Sequence, residues 1–253
     1  MAAVPEAVRQ GRGERPAPAP VVLLQFPRVW GRNVSPFALK LETWLRLADI
    51  PFTIEESTRP DRMPKGKLPC IRDGDRLVCD SSRIVAHLKA SRGIDPDAAL
   101  SDRQRAEALC LQRLLEEHLY FLIVWARWID PEGWPSVAEG FFAPFPAALR
   151  PLGRWTLRAR VRRMLHLQGL GRHDPEELEE LAREDLGALS TYLGDKPFLM
   201  GEQLTTIDAV AFGFLANILL VPIEGRLKRV ARGFPNLVAF CEAMEAGIYG
   251  EER

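Results

Sequence analysis

Much of what usually signals a function class is missing from this chain. Lys+Arg and Asp+Glu each number 34 in 253 residues. No net charge draws the protein onto nucleic acid or a membrane, and either role would need a local patch. The longest apolar stretch, residues 207–223, is broken by Asp208, Gly213 and Asn217, so no transmembrane segment is expected. The N-terminus has no apolar core of the secretory kind, which points to a cytoplasmic setting. The four cysteines, Cys70, Cys79, Cys110 and Cys241, show no C-x-x-C or other paired spacing. Reduced, packed thiols are therefore expected, without a disulfide framework and without a metal site. No internal repeat is present.

Residues 1–20 alternate proline with alanine and carry Gly11 and Gly13, a composition that reads as a disordered leader. Order is expected from Val21. The run Val21-Val22-Leu23-Leu24-Gln25-Phe26 has the β-branched, apolar character of a buried strand. Ser35-Pro36 pairs a favoured N-cap with a favoured first helical residue. The helix it opens carries Phe37, Leu41, Trp44, Leu45 and Ala48 on one stripe. Pro51 closes that helix, and Phe52-Thr53-Ile54 reads as a second strand. Short strands near Cys70-Ile71 and Leu77-Val78-Cys79 flank a turn at Asp73-Gly74-Asp75, and a helix from about Ser81 to Ser91 completes the unit.

Beyond Pro96 the signals are helical. Ser101-Asp102-Arg103-Gln104 is a capping box, Asp174-Pro175-Glu176-Glu177 a second helix start and Thr205-Thr206-Ile207-Asp208 a third. Pro235 opens a last helix ending near Gly247. The expected organisation is a leader (1–20), an α/β domain (21–95) and an all-helical domain (98–253), joined by a linker near 93–98.

This order resembles the glutathione-transferase fold, a thioredoxin-like α/β N-terminal domain followed by an all-α C-terminal domain. The residues that carry the resemblance are Ser35-Pro36-Phe37, Lys67-Leu68-Pro69, Asp80-Ser81 and Thr205-x-x-Asp208. Further blocks at Phe26-Pro27-Arg28, Gly66-Lys67-Leu68-Pro69, residues 168–173, Phe198-Leu199-Met200-Gly201 and Pro235-Asn236-Leu237 make it similar to the metaxin and failed-axon-connections branch, which includes cadmium-responsive proteins.

The resemblance implies glutathione as cosubstrate, with Ser35 as the catalytic residue. A thiol of pKa about 8.5 is only a few per cent ionised at neutral pH, and a hydroxyl with helix N–H groups aimed at the sulfur stabilises the thiolate. Ser35 could instead simply cap its helix. Leu68 would offer its backbone to the cysteinyl unit beside Pro69, which the family order implies is cis; the alternative is a plain turn proline. Asp80 and Ser81 would surround the γ-glutamyl carboxylate, or merely cap the following helix. A small-molecule electrophile would be the second substrate, perched against Trp125, Trp128 and Trp134 unless these are core. A homodimer stays open, and neither metal nor nucleic acid is implied.

Two departures favour an alternative, a non-catalytic binding or scaffold protein of metaxin-like type that keeps the fold. Only residues 57–68, with Pro60, Pro64 and Gly66, separate the second strand from Pro69, leaving little room for a helix. Phe26 stands where some classes place a catalytic tyrosine, and position 35 is not cysteine, which argues against thiol–disulfide exchange.

An arginine-rich stretch also speaks for that alternative. Between Glu139 and Asp174 no residue is acidic, while Arg150, Arg154, Arg158, Arg160, Arg162, Arg163 and Arg172 all lie there. Such a basic amphipathic stretch could meet anionic lipid, an acidic ligand or an acidic partner helix. The expected reading is pairing with Glu176, Glu177, Glu179 and Glu180 inside the chain, with His173 a polar residue at a helix end.

Overall fold

The computed structural model describes residues 19–143 and 145–250. Most of the expected leader, residues 1–18, lies outside the described residues.

The α/β part opens with strand β1 (Val21–Gln25), helix α1 (Pro36–Leu47) and strand β2 (Phe52–Glu56). Strands β3 (Cys70–Asp73) and β4 (Arg76–Cys79) and helix α2 (Ser81–Arg92) follow. The sheet order is β2-β1-β3-β4, with β2 parallel to β1 and the other pairs antiparallel. This is the thioredoxin-like arrangement the resemblance implies. Alternation along β1 sends Val21 and Leu23 toward α1 and α2, where they join Leu41, Trp44, Leu45 and Ile84 in one core. The other face carries a smaller cluster, Leu24, Leu68, Cys70 and Cys79, against which Val22, Phe26 and Met63 pack. Between β2 and β3 the chain forms only a single 3₁₀ turn, Pro60–Arg62.

Two sequence expectations fail here. Cys70 and Cys79 are not reduced thiols but form a disulfide. The β3–β4 hairpin sets the pairing Asp73↔Arg76, Arg72↔Leu77, Ile71↔Val78 and Cys70↔Cys79, so the register puts the two sulfurs opposite each other. Cys110 and Cys241 are free.

The helical part comprises α3 (Asp102–Arg113), α4 (Tyr120–Trp128), α5 (Trp134–Gly140), α6 (Arg150–Gln168), α7 (Pro175–Leu193), α8 (Thr206–Leu219), α9 (Arg226–Arg232) and α10 (Pro235–Tyr249). The boxes at Ser101 and Asp174 form, each with both reciprocal hydrogen bonds. A π-helical segment, Leu114–Leu119, joins α3 to α4. The last helix runs to Tyr249, two residues beyond the expected end.

The second failed expectation is the fate of the arginines. In α6, Arg154 donates to the Ala138 carbonyl and Arg158 to the carbonyls of Trp128 and Ile129. The glutamates of α7 are engaged elsewhere: Glu176 and Glu179 pair with Arg226, and Glu177 closes its own cap and meets His173. Among the described residues, no arginine between 150 and 172 pairs with an α7 carboxylate. Helix periodicity explains this, because the arginines facing inward meet backbone carbonyls of α5 and of the end of α4 rather than α7.

The two parts meet where α1 crosses α8. A Cβ built on Gly213 would lie 2.7 Å from the Lys40 nitrogen and 2.8 Å from the Pro36 carbonyl oxygen. Only glycine lets these backbones approach so closely. Trp44 Nε1 donates to Thr206 Oγ1 at 3.1 Å, and Arg32 holds Glu245 in a bidentate pair at 3.0 and 3.2 Å. At the start of α8, Asp208 accepts from the amides of Leu199 and Thr205, both at 2.8 Å, and from the Thr205 hydroxyl at 2.7 Å. Burial nevertheless outweighs these donors and pushes its carboxyl up to about 6.

Gly213→Ala should lower stability by about 2–3 kcal/mol in urea unfolding, because the methyl group meets backbone that cannot rotate away. The Asp208 carboxyl keeps its proton longer in the folded chain than in the unfolded one. Its contribution is therefore complete below the ordinary value of 3.8 and is lost as pH rises to about 6. Relative to Asp208→Asn, the wild-type chain should lose stability across that window and hold a constant difference above it, as measured by denaturation midpoints at successive pH values.

Candidate active site

Register brings the predicted site residues to one edge of the sheet. Leu24, next to the end of β1, pairs with Cys70 at the start of β3, and Cys70 pairs with Cys79 at the end of β4. The loop leading to Ser35 therefore leaves the edge at which Leu68-Pro69 enters and Asp80-Ser81 departs. The Leu68–Pro69 peptide bond is cis.

Ser35 is the half-buried N-cap of α1 and adopts extended backbone. Its hydroxyl makes no capping hydrogen bond to the helix. The cap is built from backbone instead: the Ser35 carbonyl accepts from Ala38 and Leu39 at 3.1 and 2.9 Å. The residue is positioned by Asn33, whose Oδ1 accepts from the Ser35 amide at 2.9 Å while its Nδ2 donates to the Phe26 carbonyl at 3.0 Å.

At the second element, Leu68 is buried against the disulfide. At the third, Asp80 has a left-handed φ of 86° and its Oδ1 accepts from the amides of Ser82 and Arg83 at 3.1 and 3.2 Å. Asp80 thus does cap α2. Its other oxygen faces Lys65 Nζ at 3.7 Å. Ser81 is buried at the first position of α2.

Several residues at this edge were not singled out from the sequence. Arg127 is buried and donates to the Val34 carbonyl at 2.6 Å and to the Asn217 carbonyl and Oδ1, both at 2.7 Å. Desolvation lowers its guanidinium to about 10, still far above neutral pH, so a cation lies beneath the residue before Ser35. Its signal in the sequence was the single charge inside Tyr120–Trp128.

Lys40 and Glu116 form a buried ion pair between α1 and the π-helical segment. Lys40 Nζ also donates to Ser82 Oγ at 3.1 Å, and Gln112 Nε2 reaches Ser82 Oγ and Glu116 Oε1 at 2.9 and 3.0 Å. Burial pulls the Lys40 ammonium below its ordinary value, and the Glu116 carboxylate opposes that shift. This network ties the start of α2 to the helical part. No local pattern announces it, because Lys40 and Glu116 are 76 residues apart.

Trp125 is core. Trp128 and Trp134 are half-buried, their ring centroids 5.8 Å apart, and pack with Phe141 and Phe142. Trp30, in the loop before Ser35, packs on Phe141 at 6.0 Å, and this cluster also contains Val34.

A thioredoxin-like sheet joined to a helical bundle is the architecture of glutathione transferases. The comparisons with known proteins agree. Residues 36–133 match the glutathione S-transferase N-terminal domain and residues 182–244 the glutathione S-transferase C-terminal domain. The chain is 37% identical over 232 residues to an isoprene-epoxide–glutathione S-transferase of Rhodococcus sp. (strain AD45), covering 88% of this chain and 96% of that protein. It is 33% identical over 239 residues to Metaxin-1 of Sus scrofa, covering 88% and 73%. Among solved structures, a glutathione transferase of Phanerochaete chrysosporium aligns with TM-score 0.62 at 19% identity, over 91% of this chain and 98% of that one. One from Methylobacterium radiotolerans, in complex with glutathione sulfonate, aligns with TM-score 0.54 at 19% identity, over 90% and 91%. The chain belongs to the glutathione S-transferase family.

Glu116→Gln should cost about 3–5 kcal/mol, because it strands the Lys40 ammonium in the interior, whereas Lys40→Met with Glu116→Leu should return to within about 1 kcal/mol of wild type. Urea unfolding of the three proteins measures both differences.

Proposed function

We propose that this chain is a glutathione transferase in which Ser35 stabilises the glutathione thiolate for attack on a small electrophile. The observation that carries this reading is the Ser35 hydroxyl, placed at the start of α1 yet not spent on capping it. Lowering the thiol pKa by about two units takes about 2.7 kcal/mol, within reach of one hydroxyl, the helix N-terminus and a nearby cation. Arg127 supplies that cation. Leu68 would pair its backbone with the cysteinyl unit, and the Ser81 hydroxyl and the start of α2 would receive the γ-glutamyl carboxylate.

Asp80 is the weaker member of that set. Its Oδ1 already serves the amides of Ser82 and Arg83, so its role is to order the α2 start rather than to touch the tripeptide. The second substrate would lie against the aromatic cluster of Trp30, Trp128, Trp134 and Phe141, which adjoins the Ser35 loop. A small epoxide is the first class to test, since the Rhodococcus relative is named for one. A cytoplasmic, detoxifying role fits such chemistry.

One observation favours the second reading, a non-catalytic binding protein of metaxin type. The segment between β2 and β3 forms only the Pro60–Arg62 turn, with no helix to hold the glycyl end of the tripeptide. Titration calorimetry separates the two, because no heat with millimolar glutathione would leave the scaffold reading standing.

Ser35→Ala should cut turnover with an aryl halide or small epoxide by about tenfold to a thousandfold while glutathione affinity changes only modestly, because the lost donor acts on the sulfur anion. Stability should be nearly unchanged, since no capping bond is removed. Steady-state kinetics at saturating glutathione provide the check, and an unaltered rate would move activation to another group.

A further inference from the structure

The outer face of α6 is unlike the rest of the surface. Seven of the ten exposed large hydrophobic side chains among the described residues lie between Phe145 and Leu167. Leu152 is 61% exposed, Trp155 71% and Leu167 69%. The inner side of the helix is already occupied. Leu165 is buried in the helical core, Arg154 and Arg158 bind backbone carbonyls, and the Arg158 guanidinium lies over the Trp134 ring at 4.8 Å. Arg160, Arg162 and Arg163 are exposed, and among the described residues they have no carboxylate partner.

The charge pattern sharpens this contrast. The chain as a whole is neutral, yet from 140 to 173 it carries seven arginines and no acidic residue. Three of those arginines point outward among exposed leucines and a tryptophan. Solvation alone does not account for such a face, because a solvated helix would carry mixed charge and few large apolar groups.

We propose that α6 is a membrane-docking helix that lies in the plane of an anionic bilayer surface. Its exposed leucines and Trp155 would enter the headgroup–acyl boundary, while Arg160, Arg162 and Arg163 bind lipid phosphates. Leucine and tryptophan side chains suit the headgroup–acyl boundary, and arginine pairs with phosphate through two N–H groups at once. Charge complementarity selects the occupant. A second copy docked by the same face would bring arginine against arginine. A partner helix would need a groove to lie in, whereas this face is the outward ridge of a single helix of 19 residues. A planar anionic surface satisfies both the length and the sign. No described helix is long and apolar enough to cross a membrane, so the mode is peripheral. The proposal is independent of the glutathione reading, since none of these residues belongs to that site.

The test is co-sedimentation of the full chain with vesicles of phosphatidylcholine alone and with about 30% phosphatidylglycerol, at about 50 and 500 mM salt. The chain should bind the anionic vesicles at low salt at least about tenfold more tightly than neutral ones, and should be released at high salt. Arg160→Glu/Arg162→Glu/Arg163→Glu should lose that binding, and Leu152→Ser/Trp155→Ser should weaken it by about tenfold. Both variants change only exposed side chains, so circular dichroism and melting temperature should match wild type. Absence of binding to anionic vesicles at low salt would overturn the proposal. So would binding that the arginine variant leaves unchanged, or α6-dependent capture of a glutamate-rich helical peptide by a chain that ignores vesicles.

Discussion

The crossing of α1 over α8 at Gly213 is the constraint on which the rest of the molecule hangs. Helix α1 is buried on both sides. One side supplies Leu41, Trp44 and Leu45 to the sheet core, while the other meets α8 at backbone distance. Because α1 begins at Ser35, whatever fixes α1 against α8 also fixes the proposed nucleophile-activating hydroxyl against the helical part. Arg127 adds a second tie from below, through the Val34 carbonyl, and shares Asn217 of α8 with that crossing. The candidate site is therefore anchored on rigid elements, as the role proposed for Ser35 requires.

The three arms of the candidate site differ in how they are held. Ser35 is set by α1 and Asn33, and the Asp80-Ser81 arm by the Lys40–Glu116–Gln112 network acting through Ser82. Among the described residues the Leu68-Pro69 arm is held by the disulfide and the small cluster of Leu24, Met63 and Phe26. A covalent link, the Cys70–Cys79 disulfide, joins β3 and β4 there. The disulfide joins the residue after Pro69 to the residue before Asp80, so two arms of the site move as one.

Charge is distributed with similar economy. The neutral total hides a basic α6 and an acidic α7, and among the described residues the expected neutralisation of one by the other does not occur. Glutamates on α7 find Arg226 of α9 and their own helix start, and the inward arginines of α6 find carbonyls in α5 and at the end of α4. The outward arginines are thus left to act beyond the chain.

What the sequence determined by itself is the set of elements whose signals lie within a few residues. Ser35-Pro36, Ser101 with Gln104, Asp174 with Glu177 and Thr205 with Asp208 are local devices, since a cap is made by side chains three residues from the amides they serve. The strand runs at Val21 and Phe52 and the glycine turn at 74 were legible for the same reason. Tertiary structure decided the rest. Whether the Ser35 hydroxyl is spent on its own helix depends on side-chain orientation. Cys70 meets Cys79 only once a two-residue turn sets the hairpin register, although their positions sum to the same value as every other β3–β4 pair. Lys40 finds Glu116 across 76 residues, and Gly213, which reads as a break in an apolar run, proves to be the point where two helices touch. Periodicity says that a helix has two faces. Which face meets the core, and which is left to solvent or a surface, is settled by what folds against it.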